Sequence, residues 1–256
     1  MLFVGHGSPM NAIEDNVFSR RWMQVGRSLG KPRAILCISA HWETEGTSVT
    51  AMEEPRTIHD FGGFPQELFH VRYPARGSAW LAAETKESLI QTEVRFDDGW
   101  GLDHGCWSVM KRMFPDADVP IVQLSLDGTR DAKAHYEMGK GLSRLRHEDV
   151  LIIGSGNMVH NLGRMVLRGN DFNEAYGLDW AMEANGLLKE LIYQDRHEDL
   201  VDYRRLGRSV QLAIPTAEHY LPLLYVLGAK EKADSIEYFN DQAVAGSLTM
   251  TSFIVR

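Results

Sequence analysis

Two cysteines in 256 residues leave no disulfide framework to look for. Cys37 lies in an apolar run, where a free thiol packs as a small hydrophobe, so no disulfide is needed. No stretch of about 18 apolar residues occurs, which excludes a membrane-spanning helix. The opening Met-Leu-Phe-Val-Gly-His has neither the basic start, the apolar middle nor the small-residue cleavage site of a signal peptide, and a cytoplasmic location is expected. Basic residues are in deficit: 27 Lys and Arg stand against 35 Asp and Glu, a formal net charge of -8. Such a field repels a polyanion, so nucleic acid is not an expected partner, and neither is a membrane. No repeat of roughly 20–50 residues and no Pro/Gly/Ser-rich linker interrupts the chain, so a single domain over 1–256 is expected. The sequence also lacks a third glycine after Gly154-Ser155-Gly156, since position 159 is Val, and it has no Gly-Lys-Ser/Thr element. Dinucleotide and phosphate-loop chemistry are therefore not indicated.

What is present is an alternation. Short apolar, β-branched runs at 2–4, 34–39, 48–52, 121–126 and 150–154 read as buried strands, and a late pair at 235–239 and 248–255 as added edges. Helical patterns at 17–29, 78–90, 106–113, 132–146 and 180–193 lie between them. Strands alternating with helices give an α/β fold, a mostly parallel sheet flanked by helices on both faces. In such a sheet the ligand lies beyond the carboxyl ends of the strands.

Histidines gather at those ends. His6 stands between two glycines after the first strand, His41 follows Ser39-Ala40 and precedes Trp42, and His160 closes Gly156-Asn157-Met158-Val159. Histidine beside Gly or Ala at a strand end, three times over, is not the pattern of scattered packing residues. The indole of Trp42 suits an apolar surround for a ligating imidazole. The amides of Asn157 and Asn161 can fix the tautomer of His160 or bind a substrate oxygen, and His160 reads as a base or a ligand. His219 heads an apolar helical run and joins His6, His41 and His160 as a candidate ligand of one metal, although a helix-start histidine would read the same way. His59 and His104 lie in aromatic, glycine-punctuated stretches where either can face a flat aromatic ligand. His70, His135, His147 and His197 sit among charged or helical surface-type residues and read as structural or solvated. No compact His-Glu-x-x-His element is present, and imidazole suits iron and zinc alike.

These residues carry a resemblance. Gly5-His6-Gly7-Ser8-Pro9-Met10, Ser39-Ala40-His41-Trp42, Thr57-Ile58-His59-Asp60-Phe61-Gly62-Gly63-Phe64-Pro65, Leu102-Asp103-His104-Gly105, Gly154 to Leu162 and Glu218-His219-Tyr220-Leu221-Pro222-Leu223 span nearly the whole chain. In them the sequence resembles the class III extradiol ring-cleaving dioxygenases of the LigB-like superfamily, and within these the DOPA 4,5-dioxygenase family. The resemblance implies one divalent metal on His6, His41 and His219, with His160 as a nearby base or fourth ligand and His104 lining the substrate and oxygen pocket. It implies Fe(II) as the working ion, a catechol and O2 as substrates, and a muconic semialdehyde as product. An all-histidine set departs from the two-histidine, one-carboxylate arrangement usual for non-haem iron, with Glu218 expected to point elsewhere, and it makes Zn(II) a credible occupant. Two other readings of the same residues are a zinc hydrolase with His160 as base and a non-catalytic metal-containing binding protein.

Overall fold

A computed structural model describes residues 1–168 and 171–256. Its strands are β1 (Leu2–Gly5), β2 (Ala34–Thr44), β3 (Thr47–Thr50), β4 (Val94–Asp97), β5 (Ile121–Asp127), β6 (Val150–Gly156), β7 (Ile236–Phe239), β8 (Ala243–Val244), β9 (Leu248–Thr249) and β10 (Ser252–Val255). All but β8 and β9 join one sheet in the order β4-β3-β5-β2-β6-β1-β10-β7, and β8 with β9 forms a small hairpin. The central run β5-β2-β6-β1 is parallel throughout, while β10 and β7 add antiparallel neighbours at one edge and β3 meets β5 antiparallel at the other. The expected mostly parallel α/β sheet is thus the one observed.

The helices are α1 (Val17–Leu29), α2 (Gln66–Phe69), α3 (Ala79–Ser88), α4 (His104–Met113), α5 (Ala132–Leu142), α6 (Asp179–Tyr193), α7 (His197–Val201), α8 (Arg208–Ala213) and α9 (Leu221–Gly228). Their starts follow local chemistry: Asn16, Ser78, Asp103 and Asp131 each accept a first-turn backbone N–H, satisfying a donor that the helix itself leaves free. Alternation along β2 divides the core in two. Leu36 and Ile38 face α3, α5, α6 and α9, and Ile35 and Cys37 face α1 and α4. Helices therefore cover both faces, and each fully buried Leu or Ile contributes roughly 1.5–3 kcal/mol. Among the described residues no helix is long and apolar enough to cross a membrane.

Three differences from the sequence expectation have physical causes. β4 was not expected; it is a four-residue edge strand with one buried side chain, so it carries no apolar alternation to detect. The expected strand over 248–255 is two strands, because Met250 N turns to the carbonyl of Gln242 and breaks the run between β9 and β10. β2 extends to Thr44, so His41 lies within the strand, at a register break between Ile38 and Glu43, instead of beyond its end.

His135 also departs from its expected surface setting. It is wholly buried in α5, its Nδ1–H donates to the Asp131 carbonyl at 2.8 Å, its Nε2 has no partner, and its ring meets Tyr225 edge-on. Burial holds its pKa below the ordinary 6.5, against the raising influence of the Asp131 carbonyl, Asp127 and Asp131. Below pH 6.5 the unfolded chain binds a proton here that the folded chain refuses, so stability is fully present above that pH and falls on acidification. The largest slope for one group is about 1.4 kcal/mol per pH unit. Urea midpoints at pH 7.5 and 5.5 should show the loss, and His135→Gln should recover part of it. An unchanged pH dependence in that variant would place the acid sensitivity elsewhere.

Candidate metal centre

Three adjacent strands and one close backbone approach assemble the centre. β1 lies beside β6 with Gly5 opposite Gly156, and His6 leaves β1 with its N–H on the Gly156 carbonyl at 3.2 Å. β2 lies on the other side of β6 and brings His41. His219 and the first turn of α9 rest directly on the end of β6: a Cβ on Gly156 would stand 2.2 Å from the His219 carbonyl, and one on Gly154 2.3 Å from that of Pro222. Only glycine permits this approach, and Asn157 N–H, donating to the His219 carbonyl at 2.8 Å, fastens it.

The imidazoles of His6, His41 and His219 then face one another, with potential ligand atoms all within 4.8 Å. His6 Nε2 and His41 Nε2 are 3.1 Å apart. The outer nitrogens decide the tautomers. Ser155 has one hydroxyl proton and donates it to the Gly105 carbonyl at 2.6 Å, so at 3.1 Å it can only accept from His6 Nδ1–H. Glu218 accepts from His219 Nδ1–H at 3.1 Å, and His41 Nδ1 lies 3.5 Å from an Asp60 oxygen. With the proton on the outer nitrogen, each ring turns a bare Nε2 inward. Lone pairs converging in this way repel one another unless a cation stands between them, and the donor set fits a divalent metal. Burial first, then the neighbouring imidazoles, hold His6 and His41 well below the ordinary histidine range, so both are neutral as ligation requires. Burial acts to raise the Glu218 carboxyl, but hydrogen bonds from His219 and Thr216 outweigh it and hold the group at about 2.

Two further histidines flank the three. His160 stacks on His219 with centroids 3.5 Å apart and planes at 4°, and its potential ligand atoms group with those of Glu218 and His219. Burial, then His219, lowers its pKa to about 3. His104 opens α4 behind its cap Asp103, whose buried carboxylate accepts from Ser39 on β2 and Gln123 on β5, so the helix start is tied to the sheet. Its ring lies 3.9 Å from that of His41 and 5.6 Å from that of His6.

The other expected substrate contacts are His59, Trp42 and Asn157. His59 meets the Val71 carbonyl through Nε2 at 3.1 Å and packs among Phe61, Phe69 and Trp107. Trp42 is buried and stacks on Trp100, with centroids 5.7 Å apart. Asn157 is buried with its amide N–H on the Thr249 carbonyl at 2.9 Å, leaving its Oδ1 without a partner. Sequence reasoning passed over Asp60, Ser155 and Phe61, and it expected Glu218 to point elsewhere. Glu218 points at the outer nitrogen of His219, not toward the three inner nitrogens. Asp60 and Ser155 adjoin or approach the histidine motifs in sequence, but only the fold shows which ring each one meets. Phe61 stands edge-on to His104 at 5.5 Å.

Comparison with known proteins agrees with this geometry. Residues 3–252 match the family described as the catalytic LigB subunit of aromatic ring-opening dioxygenase. A protein named 4,5-DOPA dioxygenase extradiol from Escherichia coli K12 is 47% identical over 255 residues, covering 98% of this chain and 92% of the relative. One of the same name from Beta vulgaris is 34% identical over 257 residues, covering 98% and 94%. The crystal structure of an uncharacterised Escherichia coli K12 protein superposes with a TM-score of 0.85 at 41% identity, covering 98% of this chain and 97% of that one. A full-length family match, carried by a chain that brings five imidazoles to the end of a parallel sheet, places this protein in the LigB family of aromatic ring-opening dioxygenases.

Proposed function

We propose that this protein is an extradiol ring-cleaving dioxygenase that opens a catechol beside its diol, with DOPA, cleaved at the 4,5 position to a muconic semialdehyde, as the substrate suggested by its relatives' names. The observation that carries the reading is the convergence of three bare Nε2 atoms, from His6, His41 and His219, beside two imidazoles that no other bond has claimed at Nε2. These three would hold one divalent metal, Fe(II) in the working enzyme, with Zn(II) able to fill the same site. When bound, iron supplies the redox chemistry that joins a chelated diol to dioxygen, which zinc lacks. His160, stacked on His219 at the edge of the three, accepts a phenolic proton and returns it. His104 lines the opposite side and meets the oxygens of substrate or dioxygen. Phe61, edge-on to His104, gives a flat ring an apolar wall and keeps water from it.

The test is oxygen uptake by protein loaded with Fe(II) without air, and by protein loaded with Zn(II), against a panel of catechols that includes DOPA. The iron form should consume oxygen and accumulate a yellow semialdehyde, and the zinc form should do neither. An iron form inert toward every catechol, with a zinc form that cleaves an ester or amide, would hand the site to hydrolysis.

A further inference from the structure

Each of the three ligating rings leans on a different outer group, and one of these groups is shared. Asp60 lies in the loop after His59, largely buried, with Oδ1 accepting the backbone N–H of His104 at 2.9 Å. Its other oxygen lies between two rings, 3.0 Å from His104 Nδ1 and 3.5 Å from His41 Nδ1. That oxygen stands within reach of both outer nitrogens without a closed hydrogen bond to either, so small rotations of the two rings let it accept from both. His41 shares the group of His6 and His219, while His104 groups with His41 and Asp60 only, its ring 3.9 Å from that of His41.

We infer that Asp60 is a positioning residue that acts on two histidines at once, holding the metal ligand His41 and the substrate-facing His104 each with Nδ1–H outward and Nε2 toward the reaction. Charge supports this role. Three neutral imidazoles bring no negative charge to a divalent cation, whereas the usual iron triad contributes one carboxylate directly. Here the carboxylates stand one imidazole away, Glu218 behind His219 and Asp60 behind His41. A carboxylate so placed makes the ligating nitrogen a better donor and fixes the plane of the ring. Glu218 accepts from one ring nitrogen, His219 Nδ1, while Asp60 reaches the outer nitrogens of both His41 and His104, so its removal disturbs two functions that are otherwise separable.

The inference rests on the dioxygenase reading for its second half only, and the test separates the two. Zn(II) affinity, measured by competition with a chelating dye, should fall roughly 10–100-fold in Asp60→Asn. With catechol at saturating Fe(II), the same variant should lose about tenfold or more in kcat with KM little changed, because the ring of His104 is misaligned while the mouth of the site is intact. In a His104→Ala background, Asp60→Asn should still weaken zinc but cause no further loss of kcat. Asp60→Glu, which keeps the charge, should recover part of both. Unchanged zinc affinity and unchanged kcat in Asp60→Asn would overturn the inference. A full multiplicative loss of kcat in the His104→Ala background would overturn the His104 half. If no catechol is a substrate, the zinc measurements on the Asn and Glu variants still decide the His41 half.

Discussion

His41→Ala is expected to yield a folded protein that holds little metal and opens no catechol at a measurable rate. The ring sits at the register break of β2, partly exposed and outside both core clusters, so its loss leaves the packing of Ile35 to Ile38 intact. What disappears is one of three inward nitrogens, together with the partner that His6 Nε2 faces at 3.1 Å. Loss of a mere outer hydrogen-bond partner weakens a metal site roughly 10–100-fold, and deleting a direct ligand from a three-ligand set goes well beyond that. Elemental analysis of the His41→Ala and His6→Ala proteins after equilibration with Fe(II) or Zn(II) is the measurement. Full occupancy in both variants would remove the proposed ligand set.

For His160→Gln the expectation is the converse: nearly all of the metal retained, and turnover reduced roughly 10²–10⁴-fold, the usual contribution of a general acid–base group. The geometry argues for this split. His160 lies flat on His219, and its ligand atoms group with Glu218 and His219, not with His6 and His41. Its backbone is fixed independently of its ring, by the N–H on the Ala213 carbonyl at 2.9 Å and the bridge to Leu248. Glutamine therefore keeps the local fold and loses the site's proton acceptor. Metal content falling in step with activity would make His160 a fourth ligand, and unchanged turnover would make it structural.

Much of this was legible in the sequence, and the limits have physical causes. The β-branched runs of β1, β2, β5 and β6 are buried on both faces and so announce themselves, and the glycines of Gly154-Ser155-Gly156 signal a close approach, although only the fold shows that the approaching chain carries His219. β4 pairs only with β3 at an exposed edge, where burial imposes no pattern. His135 reads like His147, since both lie among charged neighbours, yet α9 covers one and solvent the other. The histidines that meet were recognisable because each lies near the carboxyl end of a strand or the start of a helix, even though β2 runs on past His41. Asp60 was not, since its importance lies in an oxygen placed between two rings that are distant from it in the chain.

The position of β1 has a consequence for biosynthesis. Its neighbours are β6 and β10, so the strand that presents His6 is made well before either strand that encloses it. His219, too, belongs to the final part of the chain. At ribosomal speeds of roughly 5–20 residues per second, His6 waits on the order of 10–40 s for His219. During that interval His6 and His41 are ordinary exposed imidazoles with no defined cavity between them. Assembly of the cluster therefore waits for the later part of the chain, and the metal that fills it would depend on which ions are available at that moment as well as on which one the finished pocket prefers.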